Sequence, residues 1–203
     1  MLVIGIAGGI ASGKTLVAEC LENLGVVLID ADRIGHEVLQ QADIANAIRT
    51  RWGETIIHSE GQIRRDEIAK RVFAPPPGGP VELAFLEKLT HPRIGEHLQQ
   101  ELRALQDACD TSAVTLDAAV MFKAGWSHWC THILFVDTPH ALRIERARQR
   151  GWTGADLIAR ESSQTPLEIK RQAADYVIDN SGTPKETQTQ VKHLWDKLKL
   201  LVN

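Results

Sequence analysis

A glycine-rich loop near the N-terminus constrains the fold of this chain more than any other feature. The stretch 8-GGIASGKT-15 follows the apolar run 2-LVIGIA-7, and it precedes residues whose apolar members, including Leu16, Val17 and Leu21, recur at helical spacing. A glycine, four further residues and Gly-Lys-Thr, placed between a strand and a helix, form the phosphate-loop pattern. Glycines let backbone N–H groups converge on an anion, and a helix N-terminus adds unpaired donors and a positive dipole end. The sequence therefore predicts a binding site for nucleotide phosphates.

Individual residues of this phosphate loop have separate expected roles. Lys14 can reach the β and γ phosphates, and the hydroxyl of Thr15 can ligate Mg²⁺. We expect the nucleotide to be held by all eight residues of the loop, namely Gly8, Gly9, Ile10, Ala11, Ser12, Gly13, Lys14 and Thr15.

Strand-like runs alternate with helical patterns along most of the chain. Besides residues 2–7, we predict strands at 26–29, 113–116, 132–136 and 176–178. Strands separated by helices indicate βαβ units with a parallel sheet between helical layers. The predicted fold class is therefore α/β, a P-loop NTPase with three α/β/α layers.

The middle of the chain has a different pattern. From about residue 33 to 108 it is mostly helical with no strong strand, and 74-APPPGGP-80 predicts a break that is neither helix nor central strand. We expect one P-loop domain whose core covers about 1–32 and 109–203, with an inserted helical lobe at about 33–108. The polar, arginine-rich stretch at about 146–164 is predicted to be a lid.

Composition excludes several classes of protein. The formal net charge is −3, from 23 basic and 26 acidic residues, which gives no electrostatic case for a nucleic-acid partner. The first apolar run has no basic region before it and is interrupted by Gly8 and Gly9, so it predicts neither a signal peptide nor a membrane span. We expect a cytoplasmic protein without a membrane partner, and nothing in the sequence specifies an oligomeric state.

The phosphate loop alone does not distinguish a kinase from a switch or a motor. A GTPase switch needs an Asn/Thr-Lys-x-Asp tetrapeptide after a late strand, and the chain contains none; 182-GTPKE-186 comes nearest. A small chain with an inserted helical lobe and an arginine-rich lid instead favours a small-molecule kinase.

Several short motifs resemble those of the dephospho-coenzyme A kinase family in order and spacing. After the loop they are 24-LGVVLIDADRIGHEV-38, 64-RRDEIAKRVF-73, 91-HP-92 and 174-ADYVIDNSG-182, the last preceded by Gln164 and Lys170. The resemblance covers about residues 2–182. It implies transfer of a phosphoryl group from ATP, with Mg²⁺, to the ribose 3′-hydroxyl of dephospho-CoA, the last step of coenzyme A synthesis. The alternatives are a kinase for another nucleoside or nucleotide, and a catalytically silent nucleotide-binding sensor.

Asp32 is the candidate for handling the acceptor hydroxyl. It follows the second predicted strand, at the sheet edge where α/β proteins bind ligands. From the local sequence, a carboxylate that orients or deprotonates the hydroxyl and an N-cap of the following helix are equally compatible. The resemblance implies the catalytic role, because the second Asp of 30-DAD-32 matches the proposed base of the family. Asp30 is expected to be structural or to contact Mg²⁺ through water.

The other candidate site residues rest on the resemblance as well. It implies that Arg65 and His91 contact the acceptor, although a solvated arginine and a rigid His-Pro turn would also fit. It implies that Arg146 and Arg150 clamp the transferring phosphate, where a helix face directed at water would look similar; Arg143 and Arg148 are expected to be accessory. Asn180 matches the adenine-side loop of the family, and a simple turn after a strand is the other interpretation.

Two departures from the family pattern are visible. The family usually has Pro-Leu-Leu-x-Glu where this chain has 119-AVMFK-123, so that Lys123 replaces an acid and Asp117 lies nearby instead. Ala11 replaces a glycine common in the loop. A small side chain is compatible with this position if its φ angle is negative, so we expect a negative φ and no loss of binding.

Overall fold

A five-stranded parallel sheet forms the centre of the computed structural model, which describes residues 1–58 and 60–201. The strand order is β2-β3-β1-β4-β5, with β1 at Leu2–Gly8, β2 at Val27–Asp30, β3 at Ala113–Asp117, β4 at His132–Asp137 and β5 at Tyr176–Asp179. All five predicted strands are confirmed, each ending one residue later than predicted. β1 is buried along its whole length, as expected of the middle strand of a parallel sheet.

Helices connect these strands and make up the rest of the α/β architecture. Their bounds are α1 Lys14–Glu22, α2 Ala31–Leu39, α3 Ala42–Trp52, α4 Arg65–Val72, α5 Gly78–Ala108, α6 His140–Gln149, α7 Gly154–Ser162, α8 Leu167–Gln172 and α9 Pro184–Leu198. Within the described residues, none of these helices has both the length and the apolar character that crossing a bilayer requires. The predicted fold class is confirmed.

The first helix and the last helix share one hydrophobic core. Val17 and Leu21 of α1 and Val191 and Leu198 of α9 belong to a single buried cluster, which also contains Ile4 of β1. Each of the five side chains is at most 1% exposed. This packing fixes α1, and therefore the end of the phosphate loop, against the sheet.

The described chain divides into two compact units, one of residues 1–31 and 101–203 and the other of residues 32–100. The first unit contains the sheet and the phosphate loop. The second unit is helical and has buried apolar side chains of its own, which are Ile34, Val38, Ile44, Ile48, Ile56, Ile63, Ile68, Val72, Ile94 and Leu98.

Two proline-containing segments differ from expectation. The predicted break at 74–80 covers only 74–77, because Gly78, Gly79 and Pro80 begin α5. A proline in the first helical turn lacks an N–H that would have no intrahelical partner anyway, so it is compatible with that position. The alternative of a His-Pro turn is wrong: His91 and Pro92 lie inside α5, which continues to Ala108.

Candidate active site

The phosphate loop runs from the end of β1 into the first turn of α1. Gly13 has φ 91° and caps α1, and the first backbone bond of the helix runs from Val17 N to Gly13 O at 3.3 Å. The N–H groups of the first turn therefore face the space beyond the helix end, as an anion site requires. Lys14 donates from its Nζ to the carbonyl oxygen of Gly9 at 2.9 Å, which curls the side chain over the loop.

Ala11 does not satisfy the condition set for it by the sequence. Its φ is +58°, in the left-handed region, so the expectation of a negative φ is wrong. The Cβ of an L-residue crowds the following carbonyl in this region, at a cost of about 1–2 kcal/mol. Ala11 is 6% exposed and packs with Ala147 and Leu157 of the helices that follow β4, and these contacts hold the strained residue in place.

The carbonyl oxygen of Ser12 is the anchor of the loop. It accepts hydrogen bonds from Thr138 Oγ1 at 2.8 Å, from Arg146 Nη1 at 3.3 Å and from Asn180 Nδ2 at 2.7 Å. These donors follow β4, lie on α6 and follow β5, so three separate segments brace one peptide group. The Ser12 hydroxyl is buried and finds no hydrogen-bond partner among the described residues, and a phosphate oxygen in the loop is the kind of acceptor it could use.

Asn180 lies behind the loop, and both the nitrogen and the oxygen of its side-chain amide form hydrogen bonds. The side chain is 2% exposed; its Nδ2 donates to Ser12, and its Oδ1 accepts from Thr187 Oγ1 at 2.7 Å. A Cβ on Gly13 would overlap the Asn180 amide nitrogen. The backbone oxygen of Asn180 accepts from Arg146 Nη2 at 3.0 Å. Asn180 therefore supports the loop, and its contact with adenine stays a prediction.

The predicted arginines occupy different environments. Arg146 is half-buried and braces the loop through Ser12 and Asn180, whereas Arg150 is the exposed residue that caps the C-terminus of α6. Arg143, expected to be accessory, is more buried than either, at 5% exposed. It forms an ion pair with Glu161 of α7, and a Cβ on Gly9 would lie 2.7 Å from its Nη1.

Sequence reasoning missed this buried pair. Arg143, Arg146 and Arg150 recur at i, i+3 and i+7, which places them on one face of α6. That spacing was a signal that Arg143 belongs to the same face as the other two. The pairing with Glu161 has no signature in sequence, because the partner comes from the next helix.

A small cleft lies in front of the loop on the sheet side. Gly8, Lys14 and Lys170 line it, together with Ile6, Ala7, Ala118, Ala119, Met121 and Phe122. Ala119, Met121 and Phe122 belong to the segment 119–123 that differs from the family pattern, and they form part of the cleft wall. Lys123 of the same segment is exposed. Lys170 is 3% exposed and donates to Gln164 Oε1 at 2.8 Å. Burial, reinforced by the positive charge of Lys14, lowers the pKa of the Lys170 ammonium to about 8.

Acidic residues collect at the carboxyl ends of β2 and β3. Asp30 and Asp117 are directly opposite each other in the parallel ladder, and Asp117 is opposite Ile6 of β1. Asp32 is the second residue of α2 and is exposed, so the N-cap alternative for Asp32 is wrong. An acid in the first helical turn still stabilises the positive end of the helix dipole.

The two predicted acceptor contacts lie in the helical unit of residues 32–100. Arg65 is the exposed first residue of α4, and His91 is a half-buried residue of α5. Neighbouring Arg64 is engaged by carboxylates, with Asp66 at 3.0 Å and Glu67 at 3.5 Å. Contact of Arg65 and His91 with an acceptor stays a prediction.

The chain has the structural features of a P-loop kinase. These are a buried parallel strand, a braced glycine loop and a helix that begins with lysine and threonine. The family model described as dephospho-CoA kinase matches residues 2–186, and the chain belongs to that family. It is similar to a protein of Carboxydothermus hydrogenoformans named dephospho-CoA kinase, with 33% identity over 199 residues that cover 97% of this chain and 94% of that protein.

A second relative and a solved structure are also similar to this chain over nearly its whole length. A protein of Xanthomonas axonopodis pv. citri with the same name is 35% identical over 193 residues, which cover 95% of this chain and 93% of that protein. A crystal structure from Thermus thermophilus superposes with a TM-score of 0.77 at 28% identity and covers 97% of each chain.

Proposed function

We propose that this protein transfers the γ-phosphoryl group of ATP to the ribose 3′-hydroxyl of dephospho-CoA, giving coenzyme A and ADP. The observation that carries the proposal is the braced phosphate loop in a chain whose family match extends over residues 2–186. That match covers the loop, 30-DAD-32, the helical segments and the residues after β5 together, rather than the nucleotide site alone.

The donor is held by residues whose geometry fits polyphosphate. The loop amides and the first turn of α1 bind the β and γ phosphates, and Lys14 exchanges its bond with the Gly9 carbonyl for a phosphate oxygen. Thr15 is the second residue of α1, directly after Lys14, and it is exposed, so its hydroxyl would supply one oxygen ligand to Mg²⁺. An Mg²⁺ ion held there would neutralise charge on the transferring group.

The acceptor oxygen forms a bond to the γ phosphorus as the bond to the bridging oxygen of ADP breaks. Asp32 orients the ribose hydroxyl and accepts its proton, and the arginines of α6 stabilise negative charge on the transferring group. In this scheme Arg150, exposed at the end of α6, supplies the mobile cation, whereas Arg146 also keeps the loop in shape.

The remaining assignments are part of the same proposal. Residues 33–108 act as the acceptor lobe, where Arg65 and His91 contact dephospho-CoA, and residues 146–164 act as a lid that excludes water during transfer. Asn180 lies beside the adenine while it supports the loop. The protein works in the cytoplasm, where ATP and Mg²⁺ are available.

A coupled assay of ADP release tests the proposal with a panel of acceptors: dephospho-CoA, AMP, a nucleoside and shikimate. Turnover with dephospho-CoA and formation of coenzyme A are expected. A strong preference for another acceptor would assign the protein to a different kinase reaction. ATP binding in calorimetry without turnover on any acceptor would identify a sensor instead.

A further inference from the structure

Lys170 is a buried cation in the cleft that also contains Lys14. Lys170 forms part of the cleft lining. Apart from Lys14, the other lining residues are Gly8 and apolar residues such as Ile6, Ala118 and Met121. Among the described residues, the side chain of Gln164 provides the hydrogen bond to this ammonium, and no carboxylate lies within ion-pair distance of it. A neutral amide satisfies one of the three donors of an ammonium and compensates none of its charge.

Packing does not require a lysine at this position. A fully buried lysine loses hydration and side-chain entropy, and methionine fills a similar volume without either cost. A residue that costs stability where an apolar one would fit is typical of a binding site.

Charged groups from three helices face Lys170. Lys14 of α1 and Arg143 of α6 disfavour its protonated form, whereas Glu161 of α7 favours it. Arg143 and Glu161 are paired with each other, so their net effect on Lys170 is small beside that of burial and Lys14. Lysine, arginine and a glycine loop converge here, and the ligand that such a set fits is a polyphosphate.

We propose that Lys170 is a second phosphate-binding cation, whose ammonium leaves Gln164 and contacts the terminal phosphate of ATP beside Lys14. This inference rests on the proposed function only in taking ATP as the nucleotide. The hydrogen bond to Gln164 keeps the side chain directed along the cleft until the phosphate replaces it.

Contact between Lys170 and a phosphate changes the pKa of Lys170, so the protons taken up when ATP binds can be measured. In the free protein the pKa of Lys170 is about 8, because burial and Lys14 lower it from the ordinary lysine value. A phosphate oxygen favours the charged ammonium and raises that pKa again, so ATP binding takes up a proton wherever the free group is partly neutral. Uptake by Lys170 should be near zero at pH 6.5, roughly half a proton at pH 8 and close to one at pH 9, given a free pKa of about 8.

Calorimetric titration with Mg·ATP measures this uptake directly. At each pH, the binding heat is recorded in two buffers of different ionisation enthalpy, and the difference gives the number of protons taken up. The variants are Lys170→Met, which removes the charge, and Lys170→Arg, whose side chain stays protonated. Lys192→Met is the control, since Lys192 is an exposed lysine of α9 that pairs with Asp196 at 2.7 Å.

Lys170→Met should lose the proton uptake at pH 8 and bind ATP about 10- to 100-fold more weakly at pH 7, the loss typical of a charged hydrogen bond. Lys170→Arg should also lose the uptake but keep ATP affinity within a few-fold, and Lys192→Met should behave as wild type. Thermal unfolding of Lys170→Met should be unchanged or shifted upward, because the variant removes a buried charge.

Wild-type uptake in Lys170→Met, or ATP affinity within twofold of wild type in that variant, would overturn the inference. Its failure is distinguishable from failure of the proposed function, because wild-type turnover with dephospho-CoA is measured separately. An enzyme that makes coenzyme A while Lys170→Met binds ATP normally would retain the function and exclude this role for Lys170.

Discussion

The side chain of Asn180 donates a 2.7 Å hydrogen bond to the carbonyl oxygen of Ser12, which lies 168 positions earlier in the chain. In a trans peptide the carbonyl and the following N–H point in opposite directions. Holding the Ser12 oxygen at the back of the loop therefore aims the Gly13 N–H toward the front, where the phosphates are proposed to bind. We propose that Asn180 affects nucleotide binding through the orientation of this peptide group.

Replacing Asn180 by leucine should weaken both folding and nucleotide binding. The variant removes the bonds to Ser12 and Thr187 while keeping the side-chain volume. We expect a loss of about 1–3 kcal/mol in the free energy of unfolding and weaker ATP binding. Urea unfolding and ATP calorimetry measure the two effects, with exposed Ser181→Ala as the control. Unchanged ATP affinity in Asn180→Leu would contradict the bracing role.

Two glycines with nearly the same φ angle allow the effect of backbone strain to be separated from that of a steric clash. Gly13 has φ +91° and Gly25 has φ +88°; an added Cβ overlaps Asn180 at Gly13 and meets nothing within 4 Å at Gly25. Both alanine variants should carry the left-handed strain of about 1–2 kcal/mol. Only Gly13→Ala should also lose ATP binding, by an order of magnitude or more. Equal behaviour in unfolding and calorimetry would show that the contact with Asn180 is unimportant.

Replacing Ala11 by glycine tests the opposite change, because Ala11 is an alanine that already has a positive φ. Ala11→Gly relieves the strain but adds conformational freedom to the unfolded chain, and it removes a methyl group packed on Ala147 and Leu157. These effects oppose one another, so the free energy of unfolding should change by less than about 1 kcal/mol. ATP affinity should be retained. A stability loss of several kcal/mol, measured by urea unfolding, would show that the methyl group contributes more than its strain costs.

Asp32→Ala should separate donor binding from transfer. Turnover with dephospho-CoA should fall by roughly 10²–10⁴, because the acceptor hydroxyl loses the group that orients it and takes its proton. ATP affinity should stay near the wild-type value. Asp43→Ala is the control, since Asp43 is an exposed acid of α3 that pairs with Arg93 at 2.9 Å. Near-normal turnover in steady-state assays of Asp32→Ala would remove Asp32 from the mechanism.

The ion pair between Arg143 and Glu161 connects α6 to α7, and its side chains are 6% and 25% exposed. Glu161→Gln leaves the arginine buried without its carboxylate, and Arg143→Met leaves the acid unpaired. The first should destabilise the fold by about 3–5 kcal/mol, while the double variant should be more stable than the sum of the single changes predicts. Thermal unfolding of the four proteins gives the coupling energy. Strict additivity would mean that the two charges do not interact.

The strands and the loop could be predicted from sequence because their determinants are local. The run 2–7 is apolar enough to be buried on both faces, and the glycines, Lys14 and Thr15 have fixed spacing between a strand and a helix. The resemblance to the family was equally accessible, since it depends on short ordered motifs.

The bracing of the loop could not be predicted, because its donors are distant in sequence. Thr138, Arg146 and Asn180 converge on one carbonyl only after β4 has paired with β1 and β5 has paired with β4. The long extent of α5 was missed for another reason. The prolines predict breaks in the helix. In the first turn, however, Pro80 lacks only an N–H that needs no partner, and at Pro92 the surrounding 31-residue helix tolerates the lost bond.

The Ser12 anchor also has a consequence for biosynthesis. The three groups that donate hydrogen bonds to the Ser12 carbonyl oxygen lie 126, 134 and 168 residues later in the chain, so the ribosome makes the loop well before them. A nascent chain that has emerged only as far as β3 contains every phosphate-loop residue but lacks the three side chains that brace the loop. We therefore expect the loop to gain its nucleotide-binding shape only after the residues that follow β5 have been made.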